Sequence, residues 1–141
     1  MADDMNPVDT ATQYFIALYA GETDTVRELA ATDMAFQDPT APDAYGVPIL
    51  NELEPVLDLF SGFSGDSVNV DITNAYASND QVVLTFELSG TLPGASLGME
   101  VETISFESNG VTVLQVTDGQ VVSHTDYVNY PRFEGSITPV Q

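Results

Sequence analysis

The chain has 141 residues, 43% of them hydrophobic, with 22 acidic side chains against two arginines, no lysine and a formal net charge of -20. Such a surface is repelled by phosphate backbones and anionic lipid, which excludes nucleic-acid and membrane-surface partners, while seven Phe and six Tyr exclude a disordered chain. With no Cys, disulfides, thiol nucleophiles and Cys-ligated zinc are excluded as well.

A chain of this size forms one domain, residues 1–141, and buries roughly 70% of its unfolded surface. The start MADDMNPVDT has no basic or long apolar segment, and no run reaches the length of a membrane span, so the expected location is the cytoplasm. The acidity fits either a protein of a salt-rich cytoplasm, a halophile's, or simply a very acidic one. Self-repulsion relieved by screening predicts a melting temperature that rises between about 0.05 M and about 2 M salt; an unchanged value contradicts salt adaptation.

In chain order, residues 1–6 read as an acidic tail. Pro7 or Asp9 opens a helix, with Asp9 and Thr10 suited to capping, and Ala11, Tyr14, Phe15 and Leu18 at helical spacing carry it over 8–20 to Gly21. Thr23 or Asp24 caps a second helix with Val26 and Leu29. Residues 35–38 form a short apolar run stopped by Pro39, and TAPDAYGVP is loop. Over 48–60 the helical period returns, but Pro55 requires either a start near Leu53 or a kink.

From Ser67 the period changes to two. Val68, Val70 and Ile72 make one strand, Asn79-Asp80 a turn, and Val82, Leu84, Phe86 and Leu88 the return strand. Gly90 to Gly98 reads as loop, and 99–107 resumes as strand, with Asn109-Gly110 a bend inside it rather than a turn. Asp118-Gly119 between alternating apolar residues is the strongest hairpin signal in the chain. On that hairpin Thr112, Leu114 and Val116 share one face, as do Val122, His124, Asp126 and Val128 on the return strand. Polar Thr112, His124 and Asp126 among apolar neighbours have the layout of a pocket wall. Residues 131–141 are a tail without a definite element.

This order of elements predicts an α+β fold, a cone-shaped, curled, mostly antiparallel sheet wrapped around about three N-terminal helices. The segment QYFIALYAGETDTVRELAATDMAFQDPTAPDAYG, with the later GQVVSHTDY strand, resembles the nuclear-transport-factor-like cone superfamily of SnoaL-like polyketide cyclases, ketosteroid isomerases and limonene epoxide hydrolases. The resemblance to the isomerases implies Tyr14 as an oxyanion-hole tyrosine and Asp38 as general base, with Thr112 where that family carries a protonated Asp. Against the epoxide hydrolases Asp126 matches one catalytic carboxylate, but Phe36 and Asp38 replace a Tyr and an Asn, and Phe86 and Leu88 fall where an Arg and an Asp belong. Glu87 lies on the opposite face. Epoxide hydrolysis is therefore not expected.

The candidate catalytic residues are thus Asp38, Tyr14, Asp126 and His124, and the candidate ligand-binding residues Thr112, Phe36, Phe86, Leu88 and Leu114. Each has a plain structural reading beside the chemical one: Tyr14 as a core aromatic, Asp38 as a turn residue before Pro39, His124 and Asp126 as a bonded pair bracing the sheet. One His, no Cys and scattered acids offer no transition-metal site, and no cofactor is implied. Three functions follow: an isomerase or cyclase acting on an apolar, carbonyl-bearing small molecule, a non-catalytic carrier of an apolar ligand, or an interaction protein. The outward faces, with Val83, Thr85, Val111, Val113, Val121 and Tyr127, suit a back-to-back homodimer, which the resemblance also implies.

Overall fold

The computed structural model describes residues 6–62 and 67–140. All but Asn6 of the expected acidic tail lies outside the described residues. Helix α1 spans Pro7–Ala20 and takes its cap from Asn6 rather than Asp9 or Thr10: the Asn6 side chain accepts from the Asp9 amide and Pro7 occupies the first turn. Gly21, at φ 77, closes it in the left-handed conformation that glycine adopts without a Cβ penalty. Helix α2, Thr23–Leu29, runs directly into strand β1, Ala30–Gln37, longer than the apolar run alone suggests. Helix α3 spans Leu53–Phe60, so Pro55 falls in its first turn, where no intrahelical donor is lost, and no kink is needed.

Strands β2 (Val68–Ser78), β3 (Gln81–Pro93), β4 (Thr103–Thr117) and β5 (Gln120–Val128) follow. The sheet is curled and mixed, in the order β1-β5-β4-β3-β2, with β1 parallel to β5 and the other pairs antiparallel. Asn79, Asp118 and Gly119 have φ of 56, 53 and 77, the left-handed values that two-residue hairpins demand. Strand β3 carries on through Gly90 to Pro93, and β4 begins at Thr103 rather than 99.

β4 passes unbroken through Asn109-Gly110. Gly110 is paired with Phe86, and a Cβ there would stand 2.8 Å from the Phe86 ring and 2.7 Å from the Tyr127 carbonyl oxygen. The glycine makes room for the ring.

The β4–β5 ladder carries a bulge. Gln115 pairs with Ser123 but Val116 pairs with Val121, leaving Val122 as the extra residue. A bulge reverses the alternation beyond it, so Val121, expected on the outer face, is fully buried, whereas Val122, expected inside, is half-buried.

The last residues are not a plain tail. Helix α4, Tyr130–Ser136, is capped by Asn129, and β6, Thr138–Pro139, pairs with β4 at Ile104 and Ser105, an edge that β5 leaves open. The Ser136 hydroxyl accepts from the Glu107 amide at 2.8 Å and donates to its carbonyl at 2.9 Å, continuing the same edge.

Both arginines tie elements together at the surface. Arg27 of α2 grips Glu54 of α3 with two 3.0 Å bonds, and Arg132 of α4 bonds Glu87 and Asn109 on β3 and β4. The core lies between the helices and the concave face of the sheet, where Phe15 of α1 packs on Phe86 of β3 with ring centres 5.1 Å apart. Among the described residues no helix is long and apolar enough to cross a membrane.

Candidate active site

Strand alternation places His124 and Asp126 on the same concave face of β5, and the antiparallel register sets Thr112 of β4 directly opposite Asp126. All three are buried, His124 fully and Asp126 to 4% exposure. The Thr112 hydroxyl donates to Asp126 Oδ1 at 2.7 Å, and His124 Nε2 lies 2.6 Å from the same oxygen. Tyr14, in the middle of α1, brings its hydroxyl to 2.6 Å from His124 Nδ1.

Burial, reinforced by the charge of Asp126, raises the Tyr14 pKa well above that of a free phenol. Tyr14 therefore keeps its proton, and of its two neighbours, His124 Nδ1 at 2.6 Å and Met34 Sδ at 3.9 Å, the closer and better acceptor is the imidazole, to which it donates. The imidazole proton then belongs on Nε2, donating to Asp126, a tautomer inferred from the hydrogen-bond network. Both donors converge on Oδ1. Among the described residues Oδ2 accepts nothing, and it is not among the sealed polar atoms, so the remaining exposure of Asp126 includes this oxygen.

A second carboxylate is built differently. Asp38, just beyond β1, accepts from the Thr40 amide at 3.0 Å and the Thr40 hydroxyl at 2.6 Å on Oδ1, and from Tyr130 at 2.6 Å on Oδ2. Thr40 Oγ1 in turn accepts from the Val128 amide at 2.9 Å. Asp38 thus joins the ends of β1 and β5 to the start of α4, and each of its oxygens is occupied. Burial first, then the Asp38 carboxylate, pushes the Tyr130 phenol far up, which keeps it a donor.

The structure brings Tyr14, His124, Asp126 and Thr112 into one bonded chain and puts Asp38 in a neighbouring cluster with Tyr130. The Tyr14 hydroxyl is directed to His124 rather than to open space. The apolar candidates sit deeper: Phe36, Phe86 and Leu114 are core residues and Leu88 is half-buried. Around the His124 ring stand Phe36 at 5.0 Å, Phe60 at 5.9 Å and Phe15 at 6.1 Å between ring centres. An open depression of about 280 Å³ lies elsewhere, at the β2–β3 turn, lined by Ser78, Asn79, Asp80, Gln81 and Gln115. Among the described residues no three His, Asp or Glu side chains are grouped as a metal ion needs.

Two residues of this neighbourhood were absent from the sequence reading as site residues. Neither Tyr130 nor Tyr19 is among the candidates that the sequence offers. Tyr19 is buried, and after burial itself the charges of Asp126 and then Asp38, with the Tyr130 phenol between them in weight, hold its proton on. Glu87 is on the convex side with Arg132, across the sheet from Asp126, so no acid-arginine pair faces the interior.

A curled mixed sheet closed by helices around a buried acid-imidazole-phenol chain defines a cone-shaped α+β fold. A model of the SnoaL-like polyketide cyclases matches residues 8–134, and the chain belongs to that family. Among solved structures it is similar to a candidate SnoaL-like polyketide cyclase from Shewanella putrefaciens, at 19% identity over 94% of this chain and 96% of that one, with a TM-score of 0.80. A second such candidate, from Jannaschia sp. CCS1, is 18% identical over 96% and 93% of the two chains, TM-score 0.76. A candidate ketosteroid isomerase from Kribbella flavida is 20% identical over 86% and 76%, TM-score 0.65. No curated protein matches.

Proposed function

We propose that this chain is a cofactor-independent acid-base enzyme of the cyclase or isomerase kind, in which Asp126 moves a proton on an apolar, carbonyl-bearing substrate. The observation that carries the reading is the asymmetry of Asp126: Oδ1 is fixed by Thr112 and His124, while Oδ2 accepts nothing from the described residues. Oδ2 removes the proton from carbon beside a carbonyl, giving an enolate. In a cyclisation the enolate carbon forms a bond to a second carbonyl carbon of the same molecule, and the proton on Asp126 passes to the alkoxide so formed. In an isomerisation it returns to a different carbon.

Tyr14, His124 and Thr112 act through Asp126 as positioning residues, because their hydrogen-bonding groups are already directed inward along the chain. Asp38 is a scaffold residue, since both its oxygens are held. With the Tyr14 and Thr112 hydroxyls committed, the substrate must be acidic in its own right. A 1,3-dicarbonyl, whose enolate spreads over two oxygens, fits better than an isolated ketone. The test is turnover of acyclic 1,3-diketones bearing a second electrophilic carbonyl, followed by product mass and NMR; recovery of every substrate unchanged contradicts the proposal.

A carrier without catalysis is the second reading, favoured by the closed aromatic packing around His124. Tight binding of the same diketones with no product would select it.

The proposal extends to a homodimer through the convex face. Val83, Thr85, Val111, Val113, Thr125 and Tyr127 are neighbours in register across β3, β4 and β5 and none is charged, in a chain with 22 acids. Tyr127 is 44% exposed and Tyr76, beside Val83, 58%. Copies that repel one another elsewhere can meet only through such an uncharged surface. Sedimentation is expected to show a dimer that Val113→Asp converts to monomer; a monomeric parent protein rules the dimer out.

A further inference from the structure

The cations and the donors of this molecule are distributed in a way that bears on what the site admits. The sequence has no lysine, and both arginines are bound to carboxylates at the surface, Arg27 to Glu54 and Asp24, Arg132 to Glu87 and Glu107. Neither is available to the interior. Around Asp38 and Asp126, six donors of the described residues are likewise committed: the Thr40 amide, the Thr40 hydroxyl and Tyr130 to Asp38, Thr112 and His124 Nε2 to Asp126, and Tyr14 to His124, while the Val128 amide bonds Thr40.

An anion arriving here meets two carboxylates with no lysine and no unpaired arginine to balance it, and the donors just named are already bonded. Burial makes this worse, because low dielectric strengthens the repulsion and removes the water that would otherwise solvate the charge. A neutral carbonyl compound meets no such penalty. A protonated amine gains, since Asp126 Oδ2 is an unoccupied acceptor for a charge-assisted bond.

From this we infer that the site selects its ligand by charge, admitting neutral or amine-bearing carbonyl compounds and excluding those that carry a free carboxylate or a phosphate. The inference rests on the assignment of Asp126 to the ligand-facing wall made above and goes beyond it by naming the substrate's charge. Substrates tethered to phosphate-bearing carriers belong to the excluded class. The phenols are consistent with this, as the Tyr14, Tyr19 and Tyr130 protons are held on first by burial and then, in the same direction, by the nearby carboxylates.

The test uses three probes of one skeleton: 2-acetylnaphthalene, its 6-carboxylate and its 6-aminomethyl derivative, titrated calorimetrically into the full-length protein at pH 7.5. The carboxylate is expected to bind at least tenfold more weakly than the parent ketone, and the amine at least as tightly. The gap should persist at about 2 M salt, where the Debye length is only a few Å, and should narrow at least threefold in Asp126→Asn or in Asp38→Asn. Carboxylate binding within twofold of the ketone overturns the inference. So does a gap that closes in salt and ignores both variants, which would trace it to the surface charge, and so does binding of none of the three. If the charge order holds but the protein catalyses no α-proton exchange of a neutral 1,3-diketone, charge selection stands and the catalytic reading fails.

Discussion

Asp126→Asn is expected to lower kcat about 10²- to 10⁴-fold, the range associated with a positioned general base, while leaving the fold intact. The substitution is close to isosteric. Asparagine Oδ1 still accepts from Thr112 and from His124 Nε2, so the buried chain back to Tyr14 survives, and only the basic oxygen facing the ligand is replaced by an amide nitrogen. KM should change little for a neutral substrate, because the lost interaction develops in the transition state. Asp38→Asn is the informative partner. Its oxygens hold Thr40 and Tyr130, so its loss loosens the junction of β1, β5 and α4 and lowers kcat by less than tenfold. Steady-state kinetics beside melting curves separate the two. Full activity in Asp126→Asn, with Asp38→Asn inactive but folded, would reverse the assignment and restore the arrangement that the isomerase resemblance implies.

Phe86→Ala should cost about 3–5 kcal/mol of stability, the usual penalty for emptying a large aromatic site in a core that cannot collapse. Phe86 is 1% exposed, packs against Phe15 of α1 and lies over Gly110, where the missing Cβ leaves room for it. Truncation opens a void between the helix and the two longest strands. Denaturant unfolding measures it directly, and Phe86→Leu should lose less, because more of the volume is kept. A loss under about 1 kcal/mol would mean that the ring lines an open pocket, as the sequence pattern alone suggests, rather than filling the core.

Most of the architecture was legible because its signals are local. Asp118-Gly119 between alternating runs specifies a turn through the φ values that it tolerates. Pro55 restricts the start of α3 to a choice of two, and the structure takes the one that loses no hydrogen bond. The bulge at Val122 had no such marker. It is an ordinary β-branched residue whose displacement depends on register with β4, and that one residue moves Val121 from the expected outer face into the core. Helix α4 and β6 were hidden for a related reason: a seven-residue helix containing Pro131 and Gly135 has little intrinsic stability, and it forms here on Asn129, Arg132 and Ser136 contacts with β4.

The candidate site was legible in its residue types and not in its connections. Period two put His124 and Asp126 on one face, yet the 2.6 Å bond from Tyr14 to His124 joins positions 110 residues apart. The bond from Tyr130 to Asp38 spans 92. Those long-range contacts decide which carboxylate is held at both oxygens and which keeps one open, and neither spacing nor composition encodes that difference.

The central claim is that Asp126, through Oδ2, is the base. Exchange of the α-protons of a neutral 1,3-diketone in D₂O, followed by proton NMR, measures proton transfer without requiring ring closure. Catalysed exchange that disappears in Asp126→Asn and persists in Asp38→Asn is the predicted result. Exchange at the same rate in parent protein and Asp126→Asn would contradict it.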